Sequence, residues 1–223
     1  MMYPILSHCI LFKDVPLVEL EERLEEIPYH LQQYKKNETI LYSLEDANRI
    51  GILLSGRVQS QKTFPNGSQI NVTVRHPGEM IGHGAAFSYS RKYPCDVIAL
   101  EECSIMIFNR EDMLLLMQKD IRILENFTKE LASSTFMLQQ RLELLSYNGI
   151  AQKAAFYLLT KQREQNINKI TIPSMTKWAM ILNVSRPSLH REIKRLENEH
   201  LIRSHDHVID ILDKEGLQDI LSK

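Results

Sequence analysis

The alternation of apolar and polar positions between residues 172 and 202 predicts two short helices joined by a tight turn. Ser174 can cap the first helix, and Asn183 tolerates the left-handed backbone that such a turn often needs. The apolar positions of this helix are Trp178, Ile181 and Leu182. Ser185 can cap the second helix, and Pro187 falls in its first turn, where a missing N–H has no cost.

The second predicted helix has one apolar and one basic face. Leu189, Ile193 and Leu196 are spaced four and three residues apart, so they form one buried stripe. The residues that point the other way are Pro187, His190, Arg191, Lys194 and Arg195. A basic face alone is typical of a solvated helix. Together with two caps and a turn, it favours a helix-turn-helix whose second helix enters the DNA major groove.

The rest of the chain predicts a β-domain before this motif and a small β-hairpin after it. From Tyr34 to Phe108, short β-rich runs are separated by Gly and Pro, and Pro65 to Gly67 is a good hairpin turn. Such a pattern predicts an antiparallel barrel or roll. Residues 201–213 predict a wing of two strands around a polar turn. Its His205 and His207 are interpreted as turn residues or neighbours of the DNA backbone, because no third metal ligand is spaced to join them.

Between the β-domain and the winged motif, the pattern is helical from Asn109 to about Tyr147. A heptad seam runs through Leu124, Thr128, Leu131, Thr135, Leu138, Leu142 and Leu145. Either the β-domain of the same chain or the same helix of a second chain could bury this seam. Because the helix is long and the seam narrow, we expect a parallel homodimer held by Leu124, Leu131, Leu138, Leu142 and Leu145. Its twofold symmetry would match a palindromic DNA site.

Composition and charge exclude several classes of protein. The formal net charge is −1, so DNA binding must come from local clustering of basic residues. No apolar run approaches the ~20 residues that span a bilayer, and no signal peptide is predicted, so we expect a cytoplasmic protein without a membrane partner. Three widely spaced cysteines argue against a disulfide framework. No phosphate loop, nucleophile elbow or catalytic carboxylate pair is present at motif spacing, so no enzyme is expected.

Several segments, in this order, resemble the Crp/Fnr family of bacterial transcription regulators: LLSGRV (53–58), PGEMIG (77–82), the long helix and VSRPSLHREIKRLENEHLI (184–202). The resemblance covers nearly the whole chain. It implies an α+β fold with an N-terminal antiparallel β-roll, similar to the jelly roll of cyclic nucleotide-binding domains, then a long dimerisation helix and a C-terminal winged helix-turn-helix. The expected boundaries are 1–110 for the sensor domain, 111–147 for the dimerisation helix and 148–223 for the DNA-binding domain.

The resemblance also implies which residues contact DNA. The two base-reading arginines of the family match Arg186 and Arg191, and its phosphate-contacting Thr or Ser matches Ser188. Where the family usually has a Glu that accepts from cytosine, this chain has Pro187, so the base preference there should differ or relax. The full expected set is Ser174, Thr176, Ser185, Arg186, Pro187, Ser188, His190, Arg191 and Lys194.

The effector site departs from the cyclic-AMP-binding members. Those members hold the ribose with a Glu and the cyclic phosphate with an Arg-Ser pair, whereas this chain has His83, and Pro94 with Cys95, at these positions. The candidate effector positions are Gly82, His83, Arg91, Pro94, Cys95, Leu138 and Gln139. Because a buried cyclic phosphate without a charged partner is costly, we expect an unknown small-molecule effector other than cyclic AMP.

The cofactors of related sensors are not expected here. The iron–sulfur members use four cysteines, three of them near the N-terminus, and this chain has three in total with only Cys9 near that end. Haem and a metal site are not expected either. Two alternatives stay open. One is a regulator that needs no effector. The other is a cupin-like enzyme with a helical tail, which would need two or three His and a carboxylate to bind a metal, whereas only His76 and His83 lie in the central β-domain. The expected partners are double-stranded DNA and a second copy of the chain, with RNA polymerase as a further candidate.

Overall fold

The computed structural model describes residues 3–64 and 66–222, and it divides into two compact units. The first unit is Met1–Ser134 and the second is Thr135–Lys223. Pro65, in the predicted hairpin turn, lies outside the described residues. A membrane-spanning helix, which must be both long and apolar, does not occur in the part of the chain that is described.

The first unit contains two four-stranded antiparallel sheets. Its strands are β1 (His30–Tyr34), β2 (Thr39–Leu41), β3 (Arg49–Ser55), β4 (Val58–Thr63), β5 (Gln69–Arg75), β6 (Met80–Ile81), β7 (Asp96–Ala99) and β8 (Cys103–Asn109). The strand orders are β1-β8-β3-β6 and β2-β7-β4-β5. Its helices are α1 (Tyr3–Leu6), α2 (Leu17–Glu25), α3 (His83–Ala86), α4 (Arg110–Lys119) and the first part of α5 (Ile121–Ser146). The predicted antiparallel β-roll is confirmed.

Strand β3 contains a continuous run of apolar residues, from Ile50 to Leu54, rather than an alternating pattern. Side chains alternate between the two faces of a strand, and here both faces are covered. Ile50 and Ile52 belong to the apolar cluster that includes the helices, while Leu53 belongs to the cluster formed by residues of both sheets. A Cβ on Gly51 would lie 2.8 Å from side-chain atoms of Ile105 and Ile81, so only glycine fits this position without movement.

The predicted single helix over 111–147 is wrong, because the chain forms α4 and α5 with a break at Asp120. Asp120 has an extended backbone (φ −142°, ψ 112°). Its carboxylate accepts from the backbone N–H of Arg122 at 3.0 Å and from that residue's Nε at 2.9 Å. Asp120 therefore caps the first turn of α5, and the pKa of its carboxyl is lowered by the side-chain hydrogen bond from Arg122. Both helices carry apolar residues at helical spacing, so periodicity alone could not separate them.

The second unit contains the last part of α5 and the helix-turn-helix. Its other helices are α6 (Ile150–Gln165), α7 (Met175–Leu182), α8 (Arg186–Asn198) and α9 (Lys214–Leu221). Its antiparallel sheet has the order β10-β11-β9, from β9 (Lys169–Thr171), β10 (Ile202–His205) and β11 (Val208–Ile211). The predicted wing is confirmed as β10 and β11, whereas β9 and α9 were not predicted.

Candidate nucleic-acid interface and effector site

The helix-turn-helix is built by local capping at each of its three corners. Ser174 Oγ accepts from the backbone N–H of Lys177 at 3.3 Å and so caps α7. Asn183 ends α7 with a left-handed backbone (φ 53°). Ser185 Oγ accepts from the backbone N–H of Ser188 at 3.2 Å, and proline occupies the first turn of α8. The predicted caps and turn are therefore present.

The back of α8 is anchored in the core of the second unit. Leu189, Ile193 and Leu196 are buried, as their spacing predicts, and Trp178 of α7 is fully buried in the same cluster. Burying these side chains removes much apolar surface from water, which is the main force holding the helix in place. The other face of α8 is left to solvent.

The exposed N-terminal half of α8 carries the basic residues with the fewest internal restraints. Arg186, His190 and Arg191 are exposed, and within residues 3–64 and 66–222 no carboxylate forms a salt bridge with them. Arg191 Nη2 donates to Ser188 Oγ at 3.2 Å, and the hydroxyls of Ser185 and Ser188 are 2.8 Å apart. This turn thus presents guanidinium and hydroxyl donors, the groups that bind base edges and phosphates.

The C-terminal half of the predicted basic face is different. Arg195 pairs with Glu192 at 2.6 Å and with Glu199 at 2.5 Å. Lys194 pairs with Glu197 at 2.8 Å. Lys194 and Arg195 are exposed as predicted, but acidic residues about one turn away, which the prediction did not take into account, neutralise their charges.

All nine predicted DNA-contact residues lie in the second unit, in or beside α7 and α8. Six of them are in the caps and first turns of the two helices, where backbone N–H groups and the helix dipole favour an anion. These six are Ser174, Thr176, Ser185, Arg186, Pro187 and Ser188. His190, Arg191 and Lys194 follow on the next turns of α8. Exposed Lys177, in the first turn of α7, is a further cation beside these residues that was not predicted.

The effector positions of the first unit centre on the start of α3. Gly82 has a left-handed backbone (φ 75°), and a Cβ there would lie 2.8 Å from the carbonyl oxygen of Arg49, so glycine is required. His83 follows at the start of α3 and is buried. Its ring lies edge-on to Phe127, with centroids 6.1 Å apart, and Nδ1 has no hydrogen-bond partner among the described residues. Burial lowers the pKa of His83 to about 4, so the imidazole is neutral at neutral pH.

The remaining effector positions of this unit do not form a cationic cluster. Arg91 is exposed with a left-handed backbone (φ 45°), and Pro94 is also exposed. Lys92 forms an ion pair with Asp46 at 2.7 Å. Cys95 is half-buried, and burial raises the pKa of its thiol. Neutral groups therefore occupy the positions matched to the ribose-binding and phosphate-binding residues.

Leu138 and Gln139 lie on α5 in the second unit. Leu138 is 60% exposed. Gln139 lines a cavity of about 330 Å³ between α5 and α6. The other lining residues are Phe136, Gln140, Glu143, Phe156, Thr160, Arg163 and Glu164.

The remaining cysteines do not have the features of a reactive site. Cys9 and Cys103 are buried, and burial raises the pKa of each thiol to about 11. In the described residues, no group of three or more His, Cys, Asp or Glu side chains could hold a metal ion.

The heptad seam of α5 leaves four of its leucines open to solvent. Their exposed fractions are 39% for Leu124, 60% for Leu138, 62% for Leu142 and 40% for Leu145. Leu131 is half-buried against the core of the first unit. Phe136 and Met137, beside the seam, are 57% and 65% exposed and were not predicted as part of it. Exposed apolar side chains in this number on one helix are typical of a protein interface.

The sequence matches two protein-family models. The cyclic nucleotide-binding domain family matches residues 31–120, and the Crp-like helix-turn-helix domain family matches residues 152–220. The cyclic AMP receptor protein of Thermus thermophilus is 21% identical over 187 residues, which are 84% of this chain and 86% of that protein. The cAMP-activated global transcriptional regulator CRP of Haemophilus influenzae is 25% identical over 188 residues, which are 81% of this chain and 83% of that protein. The crystal structure of the Thermus thermophilus catabolite activator protein shares the fold, with a TM-score of 0.57 at 21% identity, covering 96% of this chain and 98% of that one.

Proposed function

We propose that this chain, which belongs to the Crp/Fnr family of transcription regulators, binds the two half-sites of a palindromic DNA operator as a homodimer. The observation that carries the proposal is that the first two turns of α8 present Arg186 and Arg191 to solvent, while the back of the same helix is fixed in the core. A rigid helix with guanidinium groups at its exposed end suits base reading in the major groove.

The proposed contacts fall into two classes. Arg186 and Arg191 read base edges, because a guanidinium can bind guanine through two parallel hydrogen bonds. The hydroxyls bind phosphates and fix the orientation of the protein on the duplex. Lys194 is exposed beside them and can reach a phosphate only when it leaves its ion pair with Glu197. Pro187 has no side-chain hydrogen-bonding group, so the base pair beside it is read weakly, and exposed His190 lies next to the arginines.

Dimerisation through α5 supplies the second half-site. The exposed leucines of the seam would be buried against the same helix of the partner, which is favourable by about 25 cal/mol for each Å² of apolar surface removed from water. Two winged units related by a twofold axis would then meet half-sites about one helical turn apart. The functional division that we propose is a sensor domain at 1–110, a dimerisation segment at 111–147 and a DNA-binding domain at 148–223.

The effector that we propose for the β-roll is a small molecule other than cyclic AMP. Neutral His83, together with Pro94 and Cys95, offers no cation to a cyclic phosphate. By linkage, an effector that changes operator affinity by a given factor must bind the operator complex with an affinity changed by the same factor. We place the protein in the cytoplasm, where DNA and, for an activator, RNA polymerase are its partners.

Fluorescence anisotropy with labelled duplex DNA tests this function. A mixed-sequence duplex should bind, with an affinity that falls by at least about tenfold between ~50 and ~200 mM salt, because phosphate contacts release counterions. Absence of salt-sensitive binding to any duplex would contradict the proposal. A single strand of the same length is the control.

A further inference from the structure

Glu197, near the C-terminal end of α8, links the recognition helix to the wing. Its Oε1 accepts from the backbone N–H of Ser204 in β10 at 2.7 Å. Its Oε2 accepts from Nζ of Lys194, one turn earlier on α8, at 2.8 Å. The Glu197 side chain is only 17% exposed, and the Lys194 ammonium beside it lowers the pKa of the carboxyl. The carboxylate of Glu197 therefore joins α8 to β10, and both of these elements would contact DNA in the proposed function.

The Ser204 amide needs an acceptor from outside the sheet. Strand β10 is at the edge of the order β10-β11-β9. The backbone N–H of Leu212 donates to the carbonyl of Leu201, so these two residues form a hydrogen-bonded pair just before β10 and β11 begin. In an antiparallel pair of strands, hydrogen-bonded pairs of residues alternate with non-hydrogen-bonded pairs. By this alternation, Ser204 and Ile209 form a non-hydrogen-bonded pair, so the Ser204 N–H points to the open edge. The carboxylate of Glu197 satisfies it with a charge-assisted hydrogen bond.

We propose that Glu197 is a positioning residue that holds the edge of the wing against the recognition helix and so sets where the wing turn meets the DNA backbone. The wing carries exposed Arg203, His205 and His207, which can approach a phosphate only if β10 keeps its place beside α8. This inference rests on the proposed DNA-binding function. A second consequence concerns Lys194, since Glu197 neutralises a cation that the DNA backbone would otherwise attract.

Three variants of the full-length chain separate these roles. Glu197→Ala removes both hydrogen bonds. Glu197→Gln keeps an oxygen acceptor for the Ser204 N–H but loses the charge that holds Lys194. Glu199→Gln is the matched control, because it removes the same charge from the same helix, where the carboxylate is exposed and pairs with Arg195 rather than with the wing.

Hydrogen–deuterium exchange of the DNA-free protein measures directly how strongly Glu197 protects the backbone of β10. In Glu197→Ala, peptides covering β10 should exchange about tenfold faster, as expected when a hydrogen bond to a charged acceptor is lost. Glu197→Gln should restore most of the protection, and Glu199→Gln should leave it unchanged. Equal exchange in Glu197→Ala and the wild type would overturn the proposal, as would equal acceleration in Glu197→Ala and Glu199→Gln.

Affinity for duplex DNA measures whether the contact between Glu197 and β10 affects DNA binding. Glu197→Ala should bind more weakly than Glu197→Gln and with a smaller dependence on salt, because both variants free Lys194 but only the alanine loses the contacts of the wing to phosphates. Glu197→Gln should bind more tightly than Glu199→Gln, in which Lys194 stays paired. If Glu197→Ala bound DNA as Glu197→Gln does, Glu197 would have no positioning role. If the wild type bound no duplex, the proposed DNA-binding function would fail. The exchange experiment would still show whether Glu197 holds β10 in the free protein.

Discussion

The guanidinium of Arg191 donates to the hydroxyl of Ser188, one turn earlier on α8, over 3.2 Å. The same hydroxyl lies 2.8 Å from that of Ser185, the residue that caps the helix. The side chain proposed to read a base is therefore already oriented on the exposed face of the helix before DNA binds. Less conformational entropy is lost on binding when a side chain is pre-organised in this way.

The first prediction concerns base reading by Arg191. Arg191→Ala should weaken binding to a specific operator by ~1–3 kcal/mol, because a bidentate contact to guanine is lost. Binding to mixed-sequence DNA should change much less. Anisotropy titrations with both duplexes at one salt concentration measure the difference, and Arg195→Ala is the matched control because Arg195 is held by Glu192 and Glu199. Equal losses on operator and mixed-sequence DNA would contradict a base-reading role.

The second prediction concerns the dimer. Leu142→Glu should convert the dimer to a monomer, since it places a charge in the apolar seam, and it should abolish tight binding to a palindrome. Met180→Glu is the control, because Met180 is 70% exposed on α7 and lies outside the seam. Sedimentation velocity measures both variants. A Leu142→Glu protein that still sediments as a dimer would show that the seam is not the interface.

Much of the helix-turn-helix could be predicted because its determinants are local. Ser185 caps a helix whose buried residues are Leu189, Ile193 and Leu196, and the capping group, the proline and the apolar spacing all lie within twelve residues. Such signals survive in almost any tertiary context. The wing was predicted for the same reason, since two short apolar runs flank a polar turn.

What could not be predicted depends on pairs of side chains. The break before α5 arises because Asp120 bonds to Arg122 rather than continuing the helix. The loss of positive charge on the second half of α8 arises because Glu192 and Glu199 turn toward Arg195. Hydrophobic periodicity places residues on a face, but it does not show which charged neighbours pair on that face.

The third prediction concerns the cap of the recognition helix. Ser185→Ala should destabilise the protein by ~1 kcal/mol, because the backbone N–H of Ser188 loses its acceptor. Ser185→Asp should retain most of the stability, since a carboxylate is also a good cap and interacts favourably with the helix dipole. Denaturant unfolding measures both. A Ser185→Ala variant as stable as the wild type would indicate that the cap is not needed for the fold.

The fourth prediction concerns His83 and pH. Its pKa is about 4 in the folded protein, below the value of about 6.5 expected in the unfolded chain. Between these two values the unfolded state binds more protons, so stability falls as the pH is lowered from 6.5 to 4 and this contribution levels off below 4. The difference amounts to on the order of 3 kcal/mol.

Unfolding experiments from pH 7 to pH 4 on two variants check this contribution. His83→Gln should show a smaller loss of stability on acidification than the wild type. His76→Gln, which replaces an exposed histidine of the same domain, should behave as the wild type does. Identical pH profiles for His83→Gln and the wild type would show that His83 is not buried in its neutral form.

The fifth prediction concerns the effector. Titration calorimetry with cyclic AMP should show no binding in the micromolar range, because neutral groups replace the charged residues that the family uses for ribose and phosphate. The double variant Pro94→Arg, Cys95→Ser should create measurable affinity, because it supplies a guanidinium and a hydroxyl to the cyclic phosphate. Micromolar binding of cyclic AMP to the wild type would overturn our assignment of a different ligand.

Selection of bound duplexes from a random pool tests the central claim most directly. The purified protein, with and without cell extract as a source of effector, should enrich a palindrome whose two half-sites are centred about one helical turn apart. The enriched sites should hold guanine at the positions that face Arg186 and Arg191. Recovery of asymmetric or unrelated sequences under both conditions would contradict a twofold pair of recognition helices reading the major groove.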